Sequence, residues 1–240
     1  ATSFAVRVAP LGGTGLVLVL AEDQTEHRRL EAVRRDFVAN ISHELKTPVG
    51  ALSLLAETVQ DASDDPEAVR RFTERMRTEA SRLNAVIQDL ITLSRIQGAE
   101  PISQPARVEL GPVVEEALDS VRMPADSKGI ELVASGAEGV TVLGDEGMLG
   151  TALRNLVANA VAYSPKNTRV AVSVGLSASS VDISVADQGI GIPQQDLERI
   201  FERFYRVDAA RSRATGGTGL GLAIVKHIMT HHRGEVTVWS

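Results

Sequence analysis

The sequence predicts a multidomain fold of α and α+β parts, in which a helical hairpin precedes an α/β sandwich domain. Apolar residues recur at spacings of three, four and seven from Glu22 to Gln97, which is typical of amphipathic helices. Beyond residues 98–105, short β-rich runs alternate with helical patterns, as in a mixed α/β domain. The chain has 240 residues, enough for one large domain or two ordinary ones, and its 43% hydrophobic content can fill a core.

The composition excludes several classes of protein. The net charge of −6 and the pI near 5.4 provide no basic field, so we expect no direct contact with nucleic acid. The absence of cysteine excludes disulfides, thiolate nucleophiles and cysteine-based metal sites. The apolar run Gly15–Ala21 is much shorter than the roughly 20 residues of a membrane span. We therefore expect a soluble piece, and the missing initial methionine indicates that it was cut from a longer protein.

Residues 1–21 predict a β-hairpin. Two β-rich runs, residues 3–9 and 15–21, flank the turn sequence PLGGT. Because a lone two-stranded hairpin is marginally stable, we expect it to belong to a larger sheet. Together with the following sequence EDQTEHRRLEAVRRDF, the hairpin resembles the last two strands and the helical connector of a PAS sensory domain. A hairpin unrelated to that domain is the alternative.

Residues 22–97 predict two long helices that form an antiparallel hairpin. In the second helix, Asp65 is expected to be the N-cap and Pro66 the first helical residue. Each helix has one apolar stripe, formed by Phe37, Ile41, Leu45, Leu52, Leu55 and Val59 in the first and by Phe72, Met76, Leu83, Ile87 and Leu90 in the second. A single hairpin leaves such stripes uncovered, so we expect a homodimeric four-helix bundle. Residues 98–105 are the expected linker.

Residues 106–240 predict the α/β domain. Helices are predicted near Gly111–Lys128, Gly147–Tyr163 and Leu222–Thr230, and strands near Glu131–Ala134, Val140–Leu143, Arg169–Leu176, Val181–Asp187 and Glu235–Trp239.

His43 lies on the polar side of the first helix. At about 100° per residue it falls about 240° from Phe37, opposite the apolar stripe. A lone histidine is more often structural, but an exposed imidazole beside Glu44 has a nucleophile and a candidate proton acceptor together. Pro48 removes one helical hydrogen bond and clashes with the Glu44 carbonyl, so we expect a kink or a hinge next to His43.

The stretch FVANISHELKTPV resembles the H box of sensor histidine kinases. The resemblance implies that His43 accepts a phosphoryl group and that Thr47 positions water for dephosphorylation of the partner response regulator. The resemblance extends to the whole helical hairpin, which would be the dimerisation and phosphotransfer domain of that family. The residues of this H box most resemble those of the phosphate-sensing PhoR/SenX-type kinases.

Four motifs follow one another in the second domain. Asn155 and Asn159 lie four residues apart on one helix face, where amide oxygens can meet hydrated Mg²⁺. DQGIG places a carboxylate, Asp187, at a strand end beside Gly189 and Gly191. FERFYRVD provides aromatic and arginine side chains, and GGTGLGLAIVKHI runs from a Gly-rich loop into a helix, whose amides suit phosphate. There is no P-loop and no dinucleotide-binding fingerprint.

In this order the motifs resemble the N, G1, F and G2 boxes of the Bergerat ATP-binding fold. That fold is shared by histidine kinases, Hsp90-type chaperones, type II topoisomerases and mismatch-repair ATPases. The resemblance implies ATP and Mg²⁺ as cofactors. Its site residues would be Asn159 as the metal ligand, Asn155 as its support, Asp187 with Gly189 and Gly191 at the adenine, Tyr163 beside the nucleotide, Gly217, Gly219 and Gly221 around the phosphates, and Arg206 in a lid at residues 202–215.

The sequence departs from the family pattern at two places. Ala162 stands where many relatives have a phosphate-contacting lysine, so that contact is absent or comes from another residue such as Lys166. The sequence also stops at GEVTVWS, before the Gly-rich turn and strand that usually follow.

The resemblance implies the cytoplasmic core of an inner-membrane sensor, anchored upstream, which phosphorylates itself on His43 and then a response regulator. Phosphatase activity toward the regulator is a further expectation. The alternatives are a nucleotide-binding scaffold without turnover and an ATPase of the Hsp90 or topoisomerase kind. The latter does not need an exposed His-Glu pair on a dimeric bundle.

Overall fold

In the computed structural model, the described residues are 2–11, 16–98, 105–177, 180–208 and 217–240. The chain divides into two compact units, Ala1–Glu79 and Ala80–Ser240. The boundary between the units falls inside the second long helix. Most of the predicted linker, residues 99–104, and residues 209–215 of the predicted lid lie outside the described residues.

The first unit begins with an antiparallel β-hairpin. Strand β1 (Phe4–Leu11) pairs with β2 (Leu16–Asp23), with Phe4 opposite Asp23. The Asp23 carboxylate accepts a hydrogen bond from the backbone N–H of Thr25, the first residue of the following helix. The hairpin that the sequence predicts is therefore present, with each strand beginning one residue later and ending two residues later than predicted.

Two long helices follow the hairpin. Helix α1 is Thr25–Asp61 and α2 is Pro66–Gly98. The Asp65 carboxylate accepts hydrogen bonds from the N–H groups of Glu67 and Ala68, both at 3.1 Å, so Asp65 is the N-cap that the sequence predicts. Helix α1 continues through Pro48 without interruption. The six residues of its predicted apolar stripe are half-buried in the single chain.

The second unit contains the α/β domain. Its elements after α2 are β3 (Ala106–Glu109), α3 (Leu110–Ser120), α4 (Arg122–Lys128), β4 (Glu131–Ser135), β5 (Thr141–Gly144), α5 (Glu146–Tyr163), β6 (Arg169–Leu176), β7 (Val181–Ala186), two short 3₁₀ turns (Gln194–Asp196 and Arg199–Phe201) and α6 (Gly221–His231).

The sheet of this domain is mixed. Strand β6 lies in the middle, parallel to β4 and antiparallel to β7, and β3 forms a separate antiparallel pair with β5. Helices α3 and α6 both contact α5. Side chains from α3, α4, α5 and the sheet form one continuous apolar core, in which Leu110, Ala125, Val157 and Val170 have no exposed surface.

Two sequence predictions are wrong in detail, and one strand is missing from the prediction. The single helix predicted at Gly111–Lys128 is two helices that meet at Val121, because the ring of Pro124 cannot coexist with a helical carbonyl at Ser120. The strand predicted at Glu235–Trp239 has no paired neighbour among the described residues, although its side chains alternate between half-buried and exposed. Strand β3 was not predicted, because four residues with one buried side chain, Val108, give too short a pattern.

Candidate active site

His43 lies on the exposed side of α1, as the helix-wheel position predicts. Glu44 is half-buried and Thr47 is exposed. The Thr47 hydroxyl donates a hydrogen bond of 3.1 Å to the carbonyl of His43, one turn earlier. The carbonyl that loses its helical donor at Pro48 is that of Glu44, one residue further on, so the Thr47 bond does not replace the bond that the proline removes.

Helix α5 carries the predicted N-box residues. Its N-cap Asp145 accepts a hydrogen bond of 2.8 Å from the N–H of Met148. Asn155, Asn159 and Tyr163 follow at intervals of four residues and are all half-buried. One face of α5 therefore presents these three side chains in a row.

Asn155 lies at the contact between α5 and the start of α6. Its side-chain N–H donates a hydrogen bond of 2.9 Å to the carbonyl of Thr151. A Cβ at Gly221 would lie only 2.6 Å from Asn155 Oδ1, so the two helices can approach this closely only because residue 221 has no side chain. Asn155 therefore lies against the last glycine of the G2 sequence.

The G1 sequence forms a tight loop after β7. The Asp187 carboxylate oxygen Oδ1 accepts a hydrogen bond of 2.7 Å from the N–H of Gly189. A Cβ at Gly189 would lie 2.6 Å from that oxygen and 3.2 Å from the carbonyl of Tyr163. Gly191 has a φ of +72°, a conformation that favours glycine. The loop thus lies directly against the C-terminal end of α5.

The F-box residues and the Gly-rich loop contact each other through the backbone. The N–H of Phe204 donates a hydrogen bond of 2.7 Å to the carbonyl of Gly219. Gly219 has a φ of +75°, and a Cβ there would lie 2.9 Å from the Phe204 backbone. The hydroxyl of Tyr205 donates to Asp196 at 2.6 Å, and this hydrogen bond raises the pKa of Tyr205. Arg206, the predicted lid arginine, is half-buried next to Tyr205.

Thr218 connects the Gly-rich loop to α2. Its buried hydroxyl donates a hydrogen bond of 2.6 Å to the Asp89 carboxylate and accepts one of 3.1 Å from the N–H of Leu220. Burial raises the pKa of the Asp89 carboxyl, and the Thr218 hydrogen bond opposes this in part. This pair is not predictable from the sequence, because nothing in the pattern of α2 distinguishes Asp89 from a solvated helix residue.

The structure therefore gathers the predicted nucleotide residues around α5. Asn155 contacts Gly221, the end of α5 contacts Gly189, and the F box contacts Gly219. Gly217, at the start of the described part of the loop, is half-buried. Among the described residues, no group of three or more histidine, cysteine, aspartate or glutamate side chains could hold a metal ion, and no helix is long and apolar enough to cross a membrane.

Family comparisons agree with this division of the chain. The family described as HisKA, the His Kinase A (phospho-acceptor) domain, matches residues 33–99. The family described as HATPase_c, the histidine kinase-, DNA gyrase B- and HSP90-like ATPase, matches residues 144–240. The chain belongs to the sensor histidine kinases. The two family matches together cover more than half of it and contain all the residues that the H, N, G1, F and G2 motifs predict.

Individual sensor histidine kinases are similar over nearly the whole chain. The sensor-like histidine kinase SenX3 of Mycolicibacterium smegmatis is 53% identical over 93% of this chain and 58% of its own length. The phosphate regulon sensor protein PhoR of Pseudomonas aeruginosa is 34% identical over 93% of this chain and 51% of its own length. The chain thus spans about half the length of these two relatives.

A solved structure also has a similar fold. Full-length ShkA in complex with AMPPNP is 28% identical, with a TM-score of 0.60 over 85% of this chain and 42% of that chain. The helical hairpin followed by an α/β domain of the Bergerat type, which the sequence predicts, is therefore confirmed.

Proposed function

We propose that this chain is a kinase core that uses ATP to phosphorylate His43 and then passes the phosphoryl group to an aspartate of a response regulator. The observation that carries the proposal is the position of His43, exposed on α1 beside Glu44, within the part of the chain that matches a phospho-acceptor domain. Residues 144–240 of the same chain match an ATPase family, which supports a nucleotide site there.

The residues around α5 fit Mg·ATP. Asp187 uses one oxygen to hold the Gly189 N–H, and its second carboxylate oxygen is our proposed acceptor for the adenine amino group. The N-terminal amides of α6 and the backbone of Gly217 and Gly219 suit the phosphates, because a helix N-terminus favours anions. Magnesium keeps waters and binds through few protein ligands with substrate phosphates. The amide oxygen of Asn159 suits such a site, and the bound ion would neutralise phosphate charge.

The transfer step needs three side chains. A neutral His43 attacks the γ-phosphorus through one ring nitrogen, and the bond from that phosphorus to the bridging oxygen breaks, leaving ADP with the electron pair. Glu44 accepts the proton that the other ring nitrogen loses. Arg206 stabilises the charge that develops on the transferred group.

The second transfer requires His43 to be reachable by another protein. His43 and Thr47 are both exposed on α1, so the receiver domain of a response regulator can approach both. The Thr47 hydroxyl donates its hydrogen bond to the His43 carbonyl. Its oxygen can therefore accept a hydrogen bond from a water that attacks the phosphorylated regulator. Pro48 is our proposed hinge between the two steps.

The remaining proposals concern the whole protein. Membership of the HisKA family implies a homodimer, and we propose the four-helix bundle of α1 and α2 as its interface. We also propose that residues 1–21 end a PAS domain, and that the full-length protein is anchored in the inner membrane with this core in the cytoplasm. The similarity to SenX3 and PhoR supports a phosphate-responsive SenX-type sensor.

The deciding experiment incubates the chain with γ-labelled ATP and Mg²⁺ and measures acid-labile, alkali-stable label. We expect the parent to become labelled and His43→Gln to lose the label entirely. His27→Gln is the matched control, because His27 is another exposed histidine of α1, paired with Glu31 at 3.4 Å. We expect this control to retain full labelling.

Nucleotide binding must be measured on the same samples. A parent that binds ATP without acquiring label would favour the scaffold alternative. Label that survives in His43→Gln would place the phosphoacceptor elsewhere and contradict the proposal. Turnover of ATP without any labelled protein would favour an ATPase of the chaperone kind.

A further inference from the structure

Lys128 binds the C-terminal end of the helix that carries the N box. Its ammonium group lies 2.7 Å from the carbonyl of Val161, 2.8 Å from that of Ala162 and 3.3 Å from that of Ser164. An ammonium has three N–H donors and no acceptor, so three carbonyl partners satisfy it fully. Carbonyls at a helix end have no partner within their own helix, and Lys128 provides one for each of these three.

The charge of Lys128 also suits this position. The C-terminal end of a helix has partial negative charge, and cations there are stabilising. Helix α5 has no basic residue in its own last turn. At position 162 the chain has alanine, so the cation at this helix end comes from α4.

The backbone around Lys128 holds the ammonium in place. The Lys128 carbonyl accepts a hydrogen bond of 2.9 Å from the N–H of Asn167, in the connection that follows α5. The next residue, Gly129, ends α4 with a φ of +66°, and a Cβ there would lie 2.5 Å from Asn167 Oδ1. Both the backbone and the side chain of residue 128 are thus bound to the end of α5 and the connection after it.

The other side of the same helix end faces the G1 loop. The Tyr163 carbonyl, in the last turn of α5, lies close to Gly189, because a Cβ added at Gly189 would be 3.2 Å from its oxygen. Gly189 in turn donates its N–H to Asp187. A displacement of the end of α5 would therefore displace Tyr163 and the Asp187 loop together.

We propose that Lys128 is a positioning residue of the nucleotide site, which fixes the end of α5 so that Tyr163 and the Asp187 loop keep their spacing. The inference rests on the proposed function, because it concerns ATP bound at that site. Lys128 acts through α5 and the G1 loop and does not touch the nucleotide.

The test compares three variants with the parent by ATP affinity, by the KM and kcat of autophosphorylation, and by amide hydrogen exchange. Lys128→Met removes the charge and the donors at similar volume, whereas Lys128→Gln retains two donors without charge. Arg122→Met is the matched control, because Arg122 is an exposed cation of the same helix whose ion pair is with Asp119 of α3.

We expect Lys128→Met to raise the Kd and the KM for ATP about ten-fold, since three charge-assisted hydrogen bonds are lost, with a smaller change in kcat. Lys128→Gln should recover part of the affinity, and Arg122→Met should match the parent. In Lys128→Met, amides at the end of α5 and in the G1 loop should exchange faster, while those of α6 keep their protection.

Two results would overturn the inference alone. One is an unchanged Kd and KM in Lys128→Met while the parent binds ATP and is labelled. The other is exchange that rises equally throughout the domain in both Lys128 variants, since that would indicate general destabilisation. A parent that does not bind ATP would instead overturn the proposed function, and the inference with it.

Discussion

At the scale of single residues, we expect the hydroxyl of Thr47 to be needed for dephosphorylation of the regulator and not for autophosphorylation of His43. We predict that Thr47→Ala retains autophosphorylation, because His43 and Glu44 are unchanged, and slows dephosphorylation of the regulator about ten-fold, the size of one lost hydrogen bond to the attacking water. The measurement follows loss of phosphate from the labelled regulator. Thr58→Ala is the matched control, because the Thr58 hydroxyl makes the same bond to a carbonyl four residues earlier, at 2.7 Å. Equal dephosphorylation rates in all three proteins would contradict the prediction.

The contact between Gly189 and Asp187 leads to a second residue-scale prediction. A methyl group at Gly189 must displace the Asp187 carboxylate, which its Cβ would approach to 2.6 Å. Gly189 has no positive φ, so backbone strain does not contribute. We predict that Gly189→Ala weakens ATP binding about ten- to hundred-fold, as misplacement of a binding group by about 1 Å does.

Isothermal titration with ATP measures this effect. Gly175→Ala is the control, because a Cβ at Gly175 meets nothing within 4 Å. Retained affinity in Gly189→Ala would mean that Asp187 does not contact the nucleotide.

The residues that sequence alone could predict are those whose position depends on local periodicity. The exposed side of His43 and the capping role of Asp65 follow from helix geometry and from the few residues around them. The contacts of Thr218 with Asp89 and of Lys128 with Ala162 join residues far apart in sequence. A helix wheel describes only the positions of residues within one helix, so neither contact can be predicted from it.

At the scale of elements, Asp89 links the stability of the contact between α2 and the Gly-rich loop to pH. Burial raises its pKa in the folded protein, so the stability that this carboxyl contributes is fully present below its unfolded pKa and is lost as pH rises through the folded pKa. Asp89→Asn keeps an oxygen that can accept from Thr218 but does not ionise. We predict that the variant gains stability over the parent as pH rises from below the unfolded pKa of an aspartate toward neutral.

Urea unfolding at a series of pH values measures the difference. The sign is decisive, because a carboxylate stabilised by ionisation would show the opposite trend, with the parent gaining on the variant as pH rises. A constant difference between the two proteins would show that Asp89 titrates normally.

The elements themselves were largely predictable, and their errors have identifiable causes. The long helices α1, α2 and α5 have enough periodic residues to outweigh local exceptions, so even Pro48 does not end α1. The predicted 111–128 helix is divided because the ring of Pro124 clashes with a helical carbonyl at Ser120. The prediction rests on apolar periodicity, which does not include this local effect. Strand formation at 235–239 depends on a neighbouring strand, which a single segment cannot specify.

At the scale of the whole molecule, apolar side chains of α2 remain exposed in the single chain. Ile87 and Ile91 lie four residues apart on the same helix face and are 40% and 47% exposed. We expect a second copy to cover them in the homodimer. The double variant Ile87→Asp/Ile91→Asp should weaken dimerisation at least about ten-fold, because it would bury two unpaired charges.

Sedimentation equilibrium over a range of concentrations measures this dissociation constant. Met123→Asp is the control, because Met123 is 84% exposed on α4, outside the hairpin. A dimer of unchanged strength in the double variant would mean that this face of α2 is not the interface.

The order of strands in the mixed sheet also determines how this domain assembles. Strands β6 and β7 are neighbours in sequence and pair as a hairpin, whereas the partner of Glu131 in β4 is Arg169, beyond β5 and the whole of α5. Closing that long loop costs entropy before any pairing compensates for it. We therefore expect the parallel pair to form late in folding, and the half of the chain that matches the ATPase family to fold more slowly than the helical hairpin that precedes it.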